Sequence, residues 1–156
     1  MNLQEWAERI DTSSLTGGAP TRALVVFNRT DQAGSGRVRF AASFPMRREV
    51  CPQPVTVRSP EGPVVPSRLT VSEVTDEPAQ GAGRVRWTME LEFVVEEVPP
   101  GGWKTYAATF GFSEASGSGD SARFDGMPLL AWPVVETECH AGTLPLTGRF
   151  REDDGQ

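Results

Sequence analysis

Apolar residues near the start of the chain follow a helical period: Leu3, Trp6, Ala7 and Ile10 stand at i, i+3, i+4 and i+7, one face of a short amphipathic helix. A helix below about 12 residues is marginal alone, so this face must dock on another surface. Leu3, Trp6 and Ile10 are therefore the candidate partner-docking face. The next stretch, Asp11 to Pro20, supports neither a helical nor a strand period and predicts a linker.

From residue 22 the pattern changes to short β-type runs punctuated by Gly and Pro. Ala23 to Asn28 is almost wholly apolar, which predicts a strand covered on both faces. Arg37 to Phe44 alternates, with Val38, Phe40 and Ala42 on one face and the arginines on the other. Val55 to Arg58 and Val64 to Glu73 are further strands, joined by a tight turn at Ser59-Pro60-Glu61-Gly62. The longest strand is expected over Gly83 to Val98, where Val85, Trp87, Met89, Leu91 and Phe93 share a face; the lapse of alternation at Val94-Val95 predicts a bulge or twist there. Pro99-Pro100-Gly101-Gly102 reverses the chain into Trp103 to Phe112, whose two faces are about equally apolar. Ser113 to Ser121 is a polar loop tip, and Leu129 to Val135 and Thr143 to Phe150 are candidates for two more strands. Seven or eight strands at this spacing predict an all-β fold, an antiparallel β-sandwich with a short N-terminal helix; a closed barrel is the alternative. The expected division is helix and linker over 1–19, sandwich over 20–150, and a frayed polar tail over 151–156.

Composition narrows the classes. The 156 residues are 38% hydrophobic with 16 glycines, enough for one domain with a core of its own. Fifteen basic residues against 21 acidic ones leave a net charge of −6, a field that repels phosphate backbones, so nucleic acid is not an expected partner. No apolar stretch approaches the roughly 20 residues needed to cross a bilayer, and no membrane partner is expected. Cys51 and Cys139 form no Cys-x-x-Cys unit, and no basic start precedes an apolar run; a cytoplasmic chain with independent thiols is the expectation.

The candidate chemistry is sparse. His140 is the only histidine, which excludes zinc sites built on two or three histidines within one chain. Glu136, Glu138, Cys139 and His140 gather ligand-type residues. On one strand face, however, Glu136, Glu138 and His140 span about 13 Å at roughly 3.3 Å per residue, too far for one ion without a bend. No metal or other cofactor is expected. No nucleophile signature accompanies His140, and Gly81-Ala82-Gly83 precedes a strand rather than a helix, so it predicts a hairpin loop and not a phosphate cradle. Among four tryptophans, Trp87 has core-like neighbours. Trp103, beside Gly101-Gly102, and Trp132, before Pro133, are the candidates for carbohydrate or interdomain contact.

Four phrases read in order resemble a known region. They are Ala23-Leu24-Val25-Val26-Phe27-Asn28; Gly36-Arg37-Val38-Arg39-Phe40; Val55 to Gly62 with Val65-Pro66-Ser67; and Phe93 to Tyr106 through Pro99-Pro100-Gly101-Gly102-Trp103. Together they resemble the β-sandwich accessory domain of glycoside hydrolase family 38 α-mannosidases, and Trp6 to Asp11 is similar to the helix leading into it. The resemblance covers roughly residues 5 to 112. It implies a domain that follows a catalytic domain in which a divalent metal and an Asp nucleophile hydrolyse α-mannosides. No motif of that catalytic domain is matched here, so no catalytic residue carries over. The implied role is a noncatalytic scaffold, or a domain that shapes the substrate cleft. The implied partner is a glycoside hydrolase catalytic domain or a second copy, and the alternative is a free-standing carbohydrate-binding module.

Overall fold

A computed structural model describes residues 2–15, 21–47, 55–76, 78–81, 83–110 and 126–150, and among them the alternation along the chain resolves into nine strands, with one α-helix and two 3-10 turns. Asn2 caps helix α1 (Leu3–Ala7), its side chain accepting the Glu5 N–H at 2.8 Å. The strands are β1 (Thr21–Asn28), β2 (Gly34–Arg47), β3 (Val55–Arg58), β4 (Val64–Val65), β5 (Ser67–Asp76), β6 (Arg84–Val98), β7 (Gly102–Phe110), β8 (Val134–Glu138) and β9 (Thr147–Arg149). Six form one sheet in the order β4-β3-β7-β1-β8, with β9 on the same side of β7 as β3 but farther along it; the other three form the sheet β2-β6-β5. Every strand pair is antiparallel. The fold is all-β, two sheets face to face.

Between the sheets lies an aliphatic layer. Leu24 and Val26 of β1, Val57 of β3, and Tyr106 and Ala108 of β7 meet Val38 of β2 and Leu91, Phe93, Val95 and Val98 of β6. The prediction that β1 is covered on both faces holds, because Val25 and Phe27 point the other way and are equally buried. They join Trp103 of β7 and Trp6, Ala7 and Ile10 of the N-terminal segment in a second apolar layer on the far side of the large sheet. Leu144, Leu146 and Phe150 close that layer.

The end of β1 is fastened by one amide. Asn28 is fully buried and donates to Gln32 O at 2.9 Å and Val98 O at 3.0 Å, while its Oδ1 accepts from Thr30 N and Thr30 Oγ1. Its hydrogen-bonding groups are engaged, so burial carries no orphan penalty, and the β1–β2 loop is tied to the end of β6. Lys104, the sole lysine, is also buried on the inner face, where Nζ donates to Glu96 O at 2.8 Å and pairs with Glu61 at 3.3 Å. Beside it, burial holds the Tyr106 phenol well above its ordinary pKa, with the Glu61 and Glu96 carboxylates acting in the same direction.

Four expectations are corrected. The strand expected over Val64 to Glu73 is two strands in two sheets: β4 pairs β3, whereas β5 pairs β6. Pro66 stands between them, a residue without an N–H for a ladder, and its carbonyl accepts from Val94 N at 3.0 Å as the chain crosses over. The bulge of β6 lies at Glu96-Glu97, not Val94-Val95: Gly34 pairs Val98 and Gly36 pairs Val95, and Glu97 takes a φ of 56°. Leu129 to Pro133 is a strap bridged to β2 only at Arg37, and the strand begins at Val134. The last strand shrinks to Thr147–Arg149, because Leu144 instead bridges Ile10. The expectations for Cys51, the 113–121 loop and the 151–156 tail lie outside the described residues, as do the Trp87 ring and part of the 11–20 linker.

Candidate functional site

The sequence singled out Glu136 to His140, and the fold puts this run at the margin of the large sheet. β8 pairs β1 in the register Glu138 to Arg22, Thr137 to Ala23 and Glu136 to Leu24. Because the N-terminal segment is pinned through Trp6, Ala7 and Ile10, its polar residues Gln4 and Glu8 come to rest beside that margin. Between them opens a cleft of about 390 Å³ lined by Gln4, Glu8, Arg22 and residues 136–140.

Arg22 organises the acidic side of the cleft. Its Nε lies 3.1 Å from Glu136 and its Nη1 3.4 Å from Glu138. The two carboxylates differ in freedom, since the Glu138 side chain is 85% exposed and that of Glu136 only 23%. Thr137 faces the helix side, where its buried hydroxyl oxygen has no hydrogen-bond partner.

Cys139 and His140 do not form a reactive pair. The thiol is directed at Thr21 O, 3.7 Å away, and burial pushes its pKa up, with Arg22 opposing weakly. Both imidazole nitrogens face main-chain carbonyls, Nδ1 at 2.7 Å from Glu138 O and Nε2 at 2.8 Å from Glu8 O, and the tautomer sets which of them donates. Thr12 completes the fastening: its hydroxyl accepts from His140 N at 2.8 Å, and its own N–H donates to His140 O at 2.8 Å. His140 therefore joins the end of β8 to the end of α1. Among the described residues no group of three His, Cys, Asp or Glu is placed to hold a metal ion.

The other sequence candidates lie elsewhere. Trp103, expected near the surface, is 2% exposed; its indole N–H donates to Pro145 O at 3.0 Å, and its ring meets Trp6 and Phe150. The reason is the covering segment Leu144 to Phe150, which local pattern did not place over β7. Trp132 is partly buried, its ring lying against Gly34, where a Cβ would collide with it. Trp6 and Ile10, with Leu3 partly buried beside them, dock on this chain's own sheet rather than standing open. Gln4, Glu8 and Arg22 were not singled out from sequence. Arg22 is recognisable only through its register opposite Glu138, across more than a hundred residues.

No helix among the described residues is long and apolar enough to cross a membrane. No protein-family model matches the sequence, and no curated protein matches it. Solved structures do match. A protein of glycosyl hydrolase family 38 from Enterococcus faecalis is similar with a TM-score of 0.52 and 20% identity over 74% of this chain. An α-mannosidase from Enterococcus faecalis V583 is similar over the same share, with a TM-score of 0.48 and 21% identity. In each case the chain spans only 15% of the length of the protein it matches. The fold described here is thus the fold of one portion of a family 38 glycosyl hydrolase chain.

Proposed function

We propose that this chain is a noncatalytic accessory domain of the α-mannosidase type, a cytoplasmic scaffold that buttresses a glycoside hydrolase catalytic domain or shapes its substrate cleft. The observation that carries the reading is the likeness of the two-sheet fold to 15% of a family 38 chain, with the remaining length of that protein free to hold the chemistry. The ordered phrases at β1, β2, the β3 turn and the β6–β7 hairpin agree with it. The polar groups of the α1–β8 cleft lend support, because Arg22, Cys139 and His140 are committed to bonds that hold elements together.

The test is to mix the chain with a separately produced family 38 catalytic domain lacking the corresponding portion, then follow association by sedimentation and hydrolysis of an aryl α-mannoside. A saturable complex with raised kcat/KM, and no hydrolysis by the chain alone, is the expected result. Hydrolysis by the chain alone, or no association at micromolar concentration, overturns the reading.

A second reading is a carbohydrate-binding module. It rests on Trp132, which unlike Trp103 is only partly buried. Calorimetric titration with a panel of α-manno-oligosaccharides decides it: saturable heat abolished by Trp132→Ala supports recognition of sugar, and no heat at millimolar ligand rejects it.

A further inference from the structure

Sheet margins expose unpaired main-chain groups, and proteins ordinarily blunt them. Among the described residues five strands stand at a margin, and four of them are blunted: β9 is only three residues long. β4 is two residues long and stands between Pro63 and Pro66. β2 carries Pro45 and is bridged by the strap, with Arg37 N donating to Pro128 O at 2.8 Å and Leu130 N to Arg37 O at 2.7 Å. β5 is interrupted by a register shift between Val71 and Glu73. β8 has none of these devices: its five residues include no proline, its register is unbroken, and among the described residues no strand lies on its far side.

The phase of its hydrogen bonds follows from the ladder. Phe27 N donates to Pro133 O at 3.1 Å, so Pro133, Val135 and Thr137 turn their main-chain groups toward β1. Thr105 N donates away from β1, to Leu146 O, which sets the same alternation across β7 and β1. Val134, Glu136 and Glu138 therefore aim their main-chain groups outward, along the cleft between β8 and α1. The Glu138 carbonyl faces His140 Nδ1 at 2.7 Å, so among the described residues the outward donors of all three residues and the carbonyls of Val134 and Glu136 stand open.

The charges beside this margin favour one kind of partner. Glu8, Glu136 and Glu138 outnumber Arg22, and Glu138 is far more exposed than Glu136. A second copy would bring another chain of net charge −6, and its own acidic margin, against the first. We propose that β8 accepts an added strand from an extended, basic segment of a partner protein, with a Lys or Arg side chain opposite Glu138. The main-chain bonds provide attraction, and the carboxylates admit a basic strand while repelling an acidic one. This inference does not depend on the glycosidase reading.

The test uses the full, isotope-labelled chain and two capped heptapeptides, Thr-Val-Lys-Val-Lys-Val-Thr and its twin with Glu in place of Lys. With the Lys peptide, the amide resonances of Val134, Glu136 and Glu138 should move saturably and exchange at least about tenfold more slowly. The Glu peptide should bind at least about tenfold more weakly, and Glu138→Lys should reverse that ranking. Equal binding of the two peptides, shifts confined to another part of the molecule, or no shift with millimolar Lys peptide overturns the proposal. So does a Glu136 amide already as protected as Val135 and Thr137 in the free chain. If that protection rises with protein concentration, the occupant is a second copy and the proposed partner is wrong.

Discussion

The two apolar layers of this molecule share β1 and β7 but are built differently. The inner layer is built mainly from alternating strand residues, mostly Val and Leu around Phe93 and Tyr106, whose ring centroids are 5.3 Å apart, with Leu130 and Trp132 of the strap packed against it. The outer layer is assembled from both ends of the chain and is dominated by rings. Trp6 meets Trp103 edge-on at 5.4 Å, and Phe150 lies within 6.0 Å of Trp6, Phe27 and Trp103. Main-chain bonds hold those ends together, from Asp11 N to Leu144 O at 2.9 Å and from Thr143 N to Arg9 O at 2.8 Å. Two flat faces of strands cover one another by repetition, whereas a sheet face with no second sheet needs large side chains from segments of little regular structure. The small sheet avoids that need on its outer face by charge: Arg37, Arg39 and Arg68 surround Glu90 and Glu92 there.

If the layers form one cooperative unit, removing a ring from either should shift the whole unfolding transition. Phe93→Ala is the largest perturbation, expected to cost about 4 kcal/mol, and Trp103→Ala should cost about 3 kcal/mol. Urea unfolding followed by far-ultraviolet circular dichroism and by tryptophan fluorescence should give coincident curves for both variants, because β1 and β7 belong to both layers. If in Trp103→Ala the fluorescence transition precedes the loss of strand signal, the outer layer opens alone and the two layers are separate units.

The inner layer was legible in the sequence and the outer one was not. Alternation in Arg37 to Phe44 and in Val85 to Phe93 identifies strand, face and core together, because the period of two is local. The continuous run at Leu24 to Phe27 even announced that something covers its second face. What covers it was hidden, since the segment Leu144 to Phe150 has little strand of its own and reaches β7 and the N-terminal segment through pairings and contacts distant in sequence. Trp103 therefore looked exposed from its glycine neighbours, and the Leu3, Trp6 and Ile10 face looked unpartnered. The cleft was half legible: Glu136 to His140 showed their chemistry in the sequence. Their association with Gln4, Glu8 and Arg22 depends on which strand ends the sheet, and no local period reports that.

The charged face of the small sheet offers a smaller perturbation. Glu92 is only 7% exposed and receives its shortest contact from Arg37 Nη1 at 2.9 Å, with Arg39 and Arg68 farther off at 3.8 and 3.7 Å. Arg37→Met leaves that carboxylate without its close donor and should cost about 2 kcal/mol. Arg39→Met, at the half-exposed pair with Glu90, should cost about 0.5 kcal/mol. The difference should persist in 1 M salt, since screening reaches the exposed pair more than the buried one. Equal costs for the two variants would show that this face is held by its strands and not by its ion pairs.

The smallest expected effect lies where the outer layer's connecting segment turns. Asp11 receives the Ser13 hydroxyl at 2.6 Å and the Ser13 N–H at 3.1 Å, and these two bonds, with His140 nearby, hold its carboxyl below the ordinary value of 3.8. A carboxylate with a lowered folded-state pKa contributes stability that is present in full above the unfolded-state value and is lost as pH falls through the folded one. Asp11→Asn keeps an acceptor but cannot ionise. The melting temperature of this variant should therefore fall short of the native one by a constant, small amount from about pH 7 to about pH 5, and the gap should close as the pH drops below 3.8. Because Asp11 is exposed, the gap should also shrink in salt, unlike the loss caused by Trp103→Ala. A gap that survives unchanged at low pH would mean that Ser13 is positioned by the chain around it, and that the outer layer draws nothing from the charge at its entry.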